Sequence, residues 1–188
     1  MSYTDKILTF DTDKIYYYDE AYGGDFEIMM DWEDSLMAAS AAYICKDGGD
    51  ILEIGFGMGI SAGYIQSHSI QSHTIIENHP DVIPKAQAWA LDKPNVTIVA
   101  GSWYDVYLDL SRYDGLFYDT FGDDDMMQFK SSLPSLMKKG GKATWWNSNP
   151  DETNYYDIPN VTYDLYPVSP PPNNYFNHPI YYLPKKEF

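Results

Sequence analysis

The chain has 188 residues, 44% of them apolar, which is enough for one hydrophobic core and calls for no second domain. Its 28 acids against 12 bases leave a formal charge of −16, a field that repels a phosphate backbone and attracts a small cation, so no nucleic acid is expected among its partners. A single cysteine, Cys45, excludes an internal disulfide and a cysteine-based metal site, and its apolar surroundings read as those of a buried, inert thiol.

No run approaches the roughly 20 apolar residues of a membrane span, and MSYTDKILTF has none of the parts of a signal peptide. The expectation is therefore a cytoplasmic protein with no membrane partner. Residues 1–30 carry a tyrosine cluster, Tyr16–Tyr18, then Tyr22, Gly23, Gly24 and Phe26, without a clear period. They read as an aromatic arm or lid, or as a homodimer contact, over a single domain at 31–188. From Asp31, a plausible N-cap, Trp32, Leu36, Ala39, Tyr43 and Ile44 recur at helical spacing until Gly48 and Gly49.

Strands expected at Ile51–Ile54, Thr74–Glu77, Val96–Ala100, Gly115–Asp119 and Lys142–Trp146 then alternate with helices at Ile60–Gln66, Pro80–Leu91 and Asp125–Met137. Such alternation gives an α/β fold, a mostly parallel sheet with helices on both faces. After Asn147 the stretch Ser148–Asn160 is polar and turn-rich. Two further strands, Val161–Tyr166 and Tyr175–Leu183, flank Pro170–Pro172 with no long helix between them, so an antiparallel edge hairpin is expected.

The ligand of such a sheet sits outside the carboxyl ends of its strands. The first strand ends in Gly55, Gly57 and Gly59, a turn that opens a helix and lets backbone approach a ligand closely. Glu53, two residues earlier, would repel a pyrophosphate but attract the amino group and sulfonium of S-adenosylmethionine (SAM). A nicotinamide site fits less well: counting from Gly57, the third glycine position holds Ala62, and Glu53 is left without purpose. Glu77 ends the second strand about 20 residues beyond the turn, where a ribose-binding acid is expected to take both hydroxyls. Gly101, Ser102 and Trp103 end the third and offer a polar edge and an indole for adenine. Tyr118-Asp119-Thr120 ends the fourth, placing a carboxylate where the transferred group should lie.

These residues carry a resemblance. Met29–Met37 (MMDWEDSLM), Ile51–Gly59 (ILEIGFGMG), Thr74–Asn78 (TIIEN), Gly101–Trp103, Leu116–Thr120 (LFYDT) and Lys139–Lys142 (KGGK) are similar to stretches of guanidinoacetate N-methyltransferase and its relatives. These are class I SAM-dependent methyltransferases, and they include a fungal-type arginine methyltransferase. The resemblance runs from about Phe26 to the end of the chain. It implies a Rossmann-like sheet with SAM, leaving as S-adenosylhomocysteine, on Glu53, Gly55, Phe56, Gly57, Gly59, Glu77, Asn78, Gly101, Ser102, Trp103 and Tyr118. It also implies a guanidine held by Glu33 and Asp119, with Trp32 and Thr120 beside them and a substrate segment after strand five beginning at Asn147. Asp119 is then the base and Glu33 the orienting acid. A guanidinium is a poor nucleophile until a proton leaves, which is what a facing pair of carboxylates supplies.

Departures from the family pattern fall on the acceptor side. The loop after Thr120-Phe121 reads Gly122-Asp123-Asp124-Asp125-Met126-Met127, and Arg112 is the only arginine, so no guanidinium clamp is evident for an acidic substrate group. A small cationic or zwitterionic acceptor with a guanidino or amino group is the leading expectation. The arginine side chain of a protein, and a non-catalytic SAM-binding role exerted through partners, are the alternatives.

Overall fold

The computed structural model describes residues 2–123, 125–153 and 155–188. In place of an arm without period, Thr9–Met30 form a three-stranded antiparallel sheet, β1 (Thr9–Phe10), β2 (Lys14–Asp19) and β3 (Gly24–Met30). Tyrosine hides the alternation, because Tyr16 and Tyr17 point to opposite faces with only Tyr17 buried, and the register shifts between Ile15 and Tyr16.

A 3-10 turn over Asp31–Glu33 leads into α1 (Asp34–Ile44). The helix therefore starts two residues later than an N-cap at Asp31 implies, and its buried stripe is Leu36, Met37, Ser40, Ala41 and Ile44. Glu33 is in phase with that stripe and is buried with it, an acid on the inward face of an amphipathic segment.

The main sheet has seven strands: β4 (Asp50–Ile54), β5 (Ser72–Glu77), β6 (Val96–Ala100), β7 (Tyr113–Tyr118), β8 (Met137–Trp145), β9 (Thr162–Pro167) and β10 (Ile180–Glu187). Their order is β6-β5-β4-β7-β8-β10-β9, parallel through β8, with β10 antiparallel to β8 and β9 antiparallel to β10. This is the expected mostly parallel sheet with an edge hairpin. Two strand starts move most: β8 begins at Met137 instead of Lys142, and the last strand begins at Ile180 instead of Tyr175, which leaves Tyr175 and Phe176 in a loop. Among the described residues of 148–160 there is no helix. The order reverses at β4, so a crevice opens between the ends of β4 and β7.

Helices α2 (Ile60–Gln66), α3 (Ile83–Ala90), the short α4 (Trp103–Val106) and α5 (Phe129–Leu136) complete the layers. On one sheet face Leu52, Ile54, Leu116 and Ala143 pack on Phe129, Leu133 and Leu136 of α5. On the other, Ile51, Phe117 and Leu183 pack on Leu36, Met37, Ala41 and Ile44 of α1 and on Ile65 of α2. Each such side chain, fully buried, contributes roughly 1.5–3 kcal/mol, so the strand ends are held rigidly. Cys45 lies in this second layer, where burial first and Glu53 second push its thiol up to about 12, so it stays protonated and inert. No helix among the described residues is long and apolar enough to cross a membrane.

Candidate active site

A cleft enclosing about 900 Å³, counted out to its mouth, opens at the reversal point. Of the expected residues it brings together Glu33, Gly55, Phe56, Gly57, Glu77, Asn78, Gly101, Trp103, Asp119 and Thr120.

The glycine turn is fixed to the strand ends on either side. A side chain on Gly55 would run into the Asp119 carbonyl oxygen, so β4 and β7 can meet this closely only through glycine; its φ is +95°. At Gly57, φ +52°, an added Cβ would stand 2.5 Å from the Met29 sulfur. Met29 instead accepts the Met58 N–H through that sulfur at 3.3 Å, which lays β3 across the turn.

Glu77 holds the other side. One carboxylate oxygen accepts the Phe56 N–H at 2.9 Å, and the other accepts those of Asn78 and His79, both at 2.8 Å. Of about four acceptor directions on a carboxylate three are taken, leaving one, on Oε2, for a ligand hydroxyl. The expectation that Glu77 takes both ribose hydroxyls is thereby narrowed to one. Trp103 is 3% exposed, donates its indole N–H to Asp123 at 2.6 Å, and meets Tyr118 and Phe129 edge-on, so it is a fixed wall.

Two carboxylates line the cleft, close enough to feel each other's charge. Glu33, at the end of the 3-10 turn, accepts the Met30 N–H at 2.9 Å and the Tyr175 hydroxyl at 2.5 Å on the same oxygen. Trp32 donates its indole N–H to the Tyr175 oxygen at 3.1 Å and stacks on Tyr175 and Phe176. Burial, and then the nearby Asp119 charge, hold Glu33 well above the usual carboxylate range, while the two hydrogen bonds pull it partly back. Asp119, at the end of β7, is raised too, by burial and by the Glu53 carboxylate behind it. No Lys, Arg or His lines the cleft among the described residues, so nothing there neutralises the pair. Such a pair attracts a cation and accepts a proton readily.

Other expected residues lie away from the cleft. Glu53 is fully buried: on β4 it has the parity of Ile51, so its carboxylate turns toward α2 and β5, accepting the Ser61 hydroxyl and lying 2.9 Å from His73 Nε2. Ser61 lines the cleft and Glu53 does not, so the expected acid stands behind a hydroxyl instead of at the cleft surface. Gly59 caps α2, and Ser102 caps α4 by accepting the Tyr104 N–H while donating to Asp125. Tyr118 stacks on Phe129 at 4.1 Å and donates to Asp123 at 2.5 Å, so it lines no part of this cleft. Trp32 supports Tyr175 instead of lining the site. Asn147 spends its amide on the Tyr182 carbonyl and the Asn149 N–H, because the chain turns off β8 there. Of the three successive aspartates, Asp124 lies outside the described residues.

The sequence reading passed over Tyr3, Ile15, Ile28, Met29, Phe121, Trp146 and Tyr175, which also line the cleft. Tyr3 packs on His79 at 4.7 Å and on Phe121 at 5.1 Å, joining the loops after β5 and β7. The aromatic pair Tyr175-Phe176 just after a proline run was the one signal available for Tyr175.

Comparison with known proteins agrees with this geometry. Residues 24–148 match the family model described as guanidinoacetate N-methyltransferase. A protein from Yarrowia lipolytica named protein arginine N-methyltransferase 2 is 36% identical over 146 residues, 70% of this chain and 30% of its own length. A protein of the same name from Aspergillus oryzae is 36% identical over 167 residues, 83% of this chain and 39% of its own. The chain thus spans only 30% to 39% of the length of these curated relatives. Among solved structures, spermidine synthase from Thermotoga maritima superposes with a TM-score of 0.65 at 13% identity, covering 96% of this chain and 72% of that one, a likeness of fold. With the family match covering most of the chain, the protein belongs to the guanidinoacetate N-methyltransferase family of SAM-dependent methyltransferases.

Proposed function

We propose that this chain methylates a nitrogen of a small guanidino or amino acceptor, with Asp119 as base and Glu33 as orienting acid. The observation that carries the reading is the pair Glu33 and Asp119, buried without a cation in one cleft with the glycine turn. The residues present fit SAM: a glycine turn that admits no side chain, an ionic acceptor on Glu77, the Ser61 hydroxyl backed by Glu53, and the Trp103 wall. SAM would supply the methyl group as an electrophilic sulfonium and leave as the neutral thioether. Residues 1–30 serve as a lid over the single domain 31–188, a role supported by Tyr3, Ile15, Ile28 and Met29 lining the cleft.

The carboxylates do the rest. A guanidinium entering between them gains two charge-assisted contacts, each stronger for being screened from water. Its charge lowers both carboxyl pKa values, so the proton they retain is released on binding. Glu33, fixed by Tyr175 and Met30, holds the fork in plane. As the attacking nitrogen bonds the methyl carbon and the carbon–sulfur bond breaks, Asp119 accepts the proton that nitrogen sheds. Charge would balance, because the proton taken up by Asp119 offsets the positive charge that SAM would bring as a sulfonium.

The test is isothermal titration with S-adenosylhomocysteine and separately with NAD, followed by labelled SAM with guanidinoacetate, arginine, aminobutylguanidine and glycine. Binding of the first ligand alone and label on a guanidine are expected. Failure to bind S-adenosylhomocysteine sinks the reading. The relatives' name favours a second acceptor, the arginine side chain of a protein, and an arginine-containing peptide in the same panel separates the two.

A further inference from the structure

A second cavity of about 770 Å³, counted to its mouth, adjoins the cleft and shares Thr120, Trp146 and Tyr175 with it. Thr120 follows Asp119 and Tyr175 is bonded to Glu33, so whatever fills this cavity lies directly beyond the carboxylate pair. Its other aromatic walls are Tyr118, Trp145, Tyr155 and Tyr156. Tyr156 stands nearly perpendicular to its neighbours, at 84° to Tyr118, 82° to Trp145 and 89° to Tyr155, with centroids 5.9, 6.2 and 5.2 Å away. Rings at right angles form the corner of a cage instead of a stacked slab, and ring faces attract cations.

The charges agree. No Lys, Arg or His lines this cavity either, among the described residues. Beneath Tyr118, Asp123 accepts the phenol proton at 2.5 Å and the Trp103 N–H at 2.6 Å, placing negative charge behind the wall. The one amide at the rim, Asn147, donates one hydrogen to the Tyr182 carbonyl and accepts the Asn149 N–H, so what it offers a ligand is at most one neutral donor. An anionic tail on the acceptor would meet ring faces, neutral hydroxyls and an amide there, with no cation among the described residues to balance its charge.

We propose that this aromatic cavity holds a second positive charge on the acceptor, so that the substrate class is an alkylguanidine ending in an ammonium group. The inference rests on the guanidine-methylating reading above and narrows it.

Three acceptors built on the same four-carbon chain separate the possibilities: butylguanidine, 4-aminobutylguanidine and 4-guanidinobutanoate, with neutral, cationic and anionic tails. With labelled SAM, kcat/KM should be about 10-fold higher for the amine than for the butyl compound, within the range of a desolvated cation–π contact. The carboxylate should be the poorest of the three. In Tyr155→Leu and Tyr156→Leu, checked for fold by S-adenosylhomocysteine titration, the amine-to-butyl ratio should fall toward one, whereas Tyr155→Phe should keep it. A purely structural role for these rings would lower all three acceptors together and leave the ratio intact, which overturns the proposal. So does an acceptor order led by the carboxylate, or equal use of the amine and butyl compounds. Turnover of none of the three overturns the guanidine reading itself, a different failure from turnover without preference.

Discussion

Around the glycine turn the cleft is walled by main chain: Gly55 against the Asp119 carbonyl, and three backbone N–H groups on Glu77. Around Glu33 it is walled by side chains from distant segments, with Tyr175 reaching across 142 residues of sequence to bond that acid and Trp32 bracing Tyr175 in turn. Backbone geometry changes little when a single side chain is replaced, so the turn side should bind its ligand whatever happens opposite. The acceptor side has no such reserve. Removing one member alters the charge, position and proton affinity of the others. The two halves should therefore separate cleanly under mutation, one in affinity for the nucleoside and the other in turnover.

The largest separation is expected at Asp119. Asp119→Asn keeps the shape and removes the base, so kcat should fall by roughly 10²–10⁴. S-adenosylhomocysteine affinity, measured by titration, should stay within a few-fold. A large loss of affinity in that variant would mean that the halves are one unit and that Asp119 holds cofactor. Glu77→Ala should do the reverse, weakening S-adenosylhomocysteine by about 10- to 100-fold, since a charged acceptor is lost and three N–H groups lose their partner. Its kcat at saturating SAM should change much less.

Tyr175→Phe tests the reach across the sequence. The hydroxyl lowers the proton affinity of Glu33, so its loss should raise that affinity further and weaken acceptor binding by about 10-fold, the scale of a hydrogen bond to a charged group. The pH profile supplies the signature. Acceptor binding requires both carboxylates ionised, so kcat/KM should rise with pH and level off only above the raised values of the pair. In Tyr175→Phe the rise should move to higher pH, whereas mere misfolding would lower the plateau without moving it.

The same contrast explains what the sequence disclosed. The turn, Glu77 and the strand ends were legible because each is local: a glycine spacing, an acid at a strand terminus, an alternation of apolar runs. The parallel character of the sheet followed from the same alternation. Glu53 was misdirected because parity along β4 decides which face it meets, and its partners Ser61 and His73 lie on other elements. Tyr175 and Tyr3 escaped notice because a loop aromatic joins a site only through tertiary packing. Abundant tyrosine also erased the period-two signal of β2. Glu33 could have been read more firmly, since its phase with Leu36, Met37, Ser40 and Ile44 places an acid on a buried stripe.

The smallest expected effect bears on what that acid pair does to the fold. Both carboxyls have folded-state values raised above their ordinary ones, Glu33 by burial and Asp119, and Asp119 by burial and Glu53. A raised carboxyl binds protons more tightly folded than unfolded. Its presence therefore costs nothing below the unfolded value, destabilises increasingly as pH rises above it, and reaches a constant cost beyond the folded value. Asp119→Asn carries no such term. Its melting temperature should match the native chain near pH 4 and exceed it by a few degrees at pH 8, given about 2–4 °C per kcal/mol for a domain of this size. A guanidinium ligand should lift the native chain's melting temperature most where both carboxylates are ionised, and lift that of Asp119→Asn less. If the variant melts lower at every pH, Asp119 is holding the fold together, and the division between a main-chain half and a side-chain half fails at its junction, where the Asp119 carbonyl rests on Gly55 and its carboxylate charge reaches Glu33.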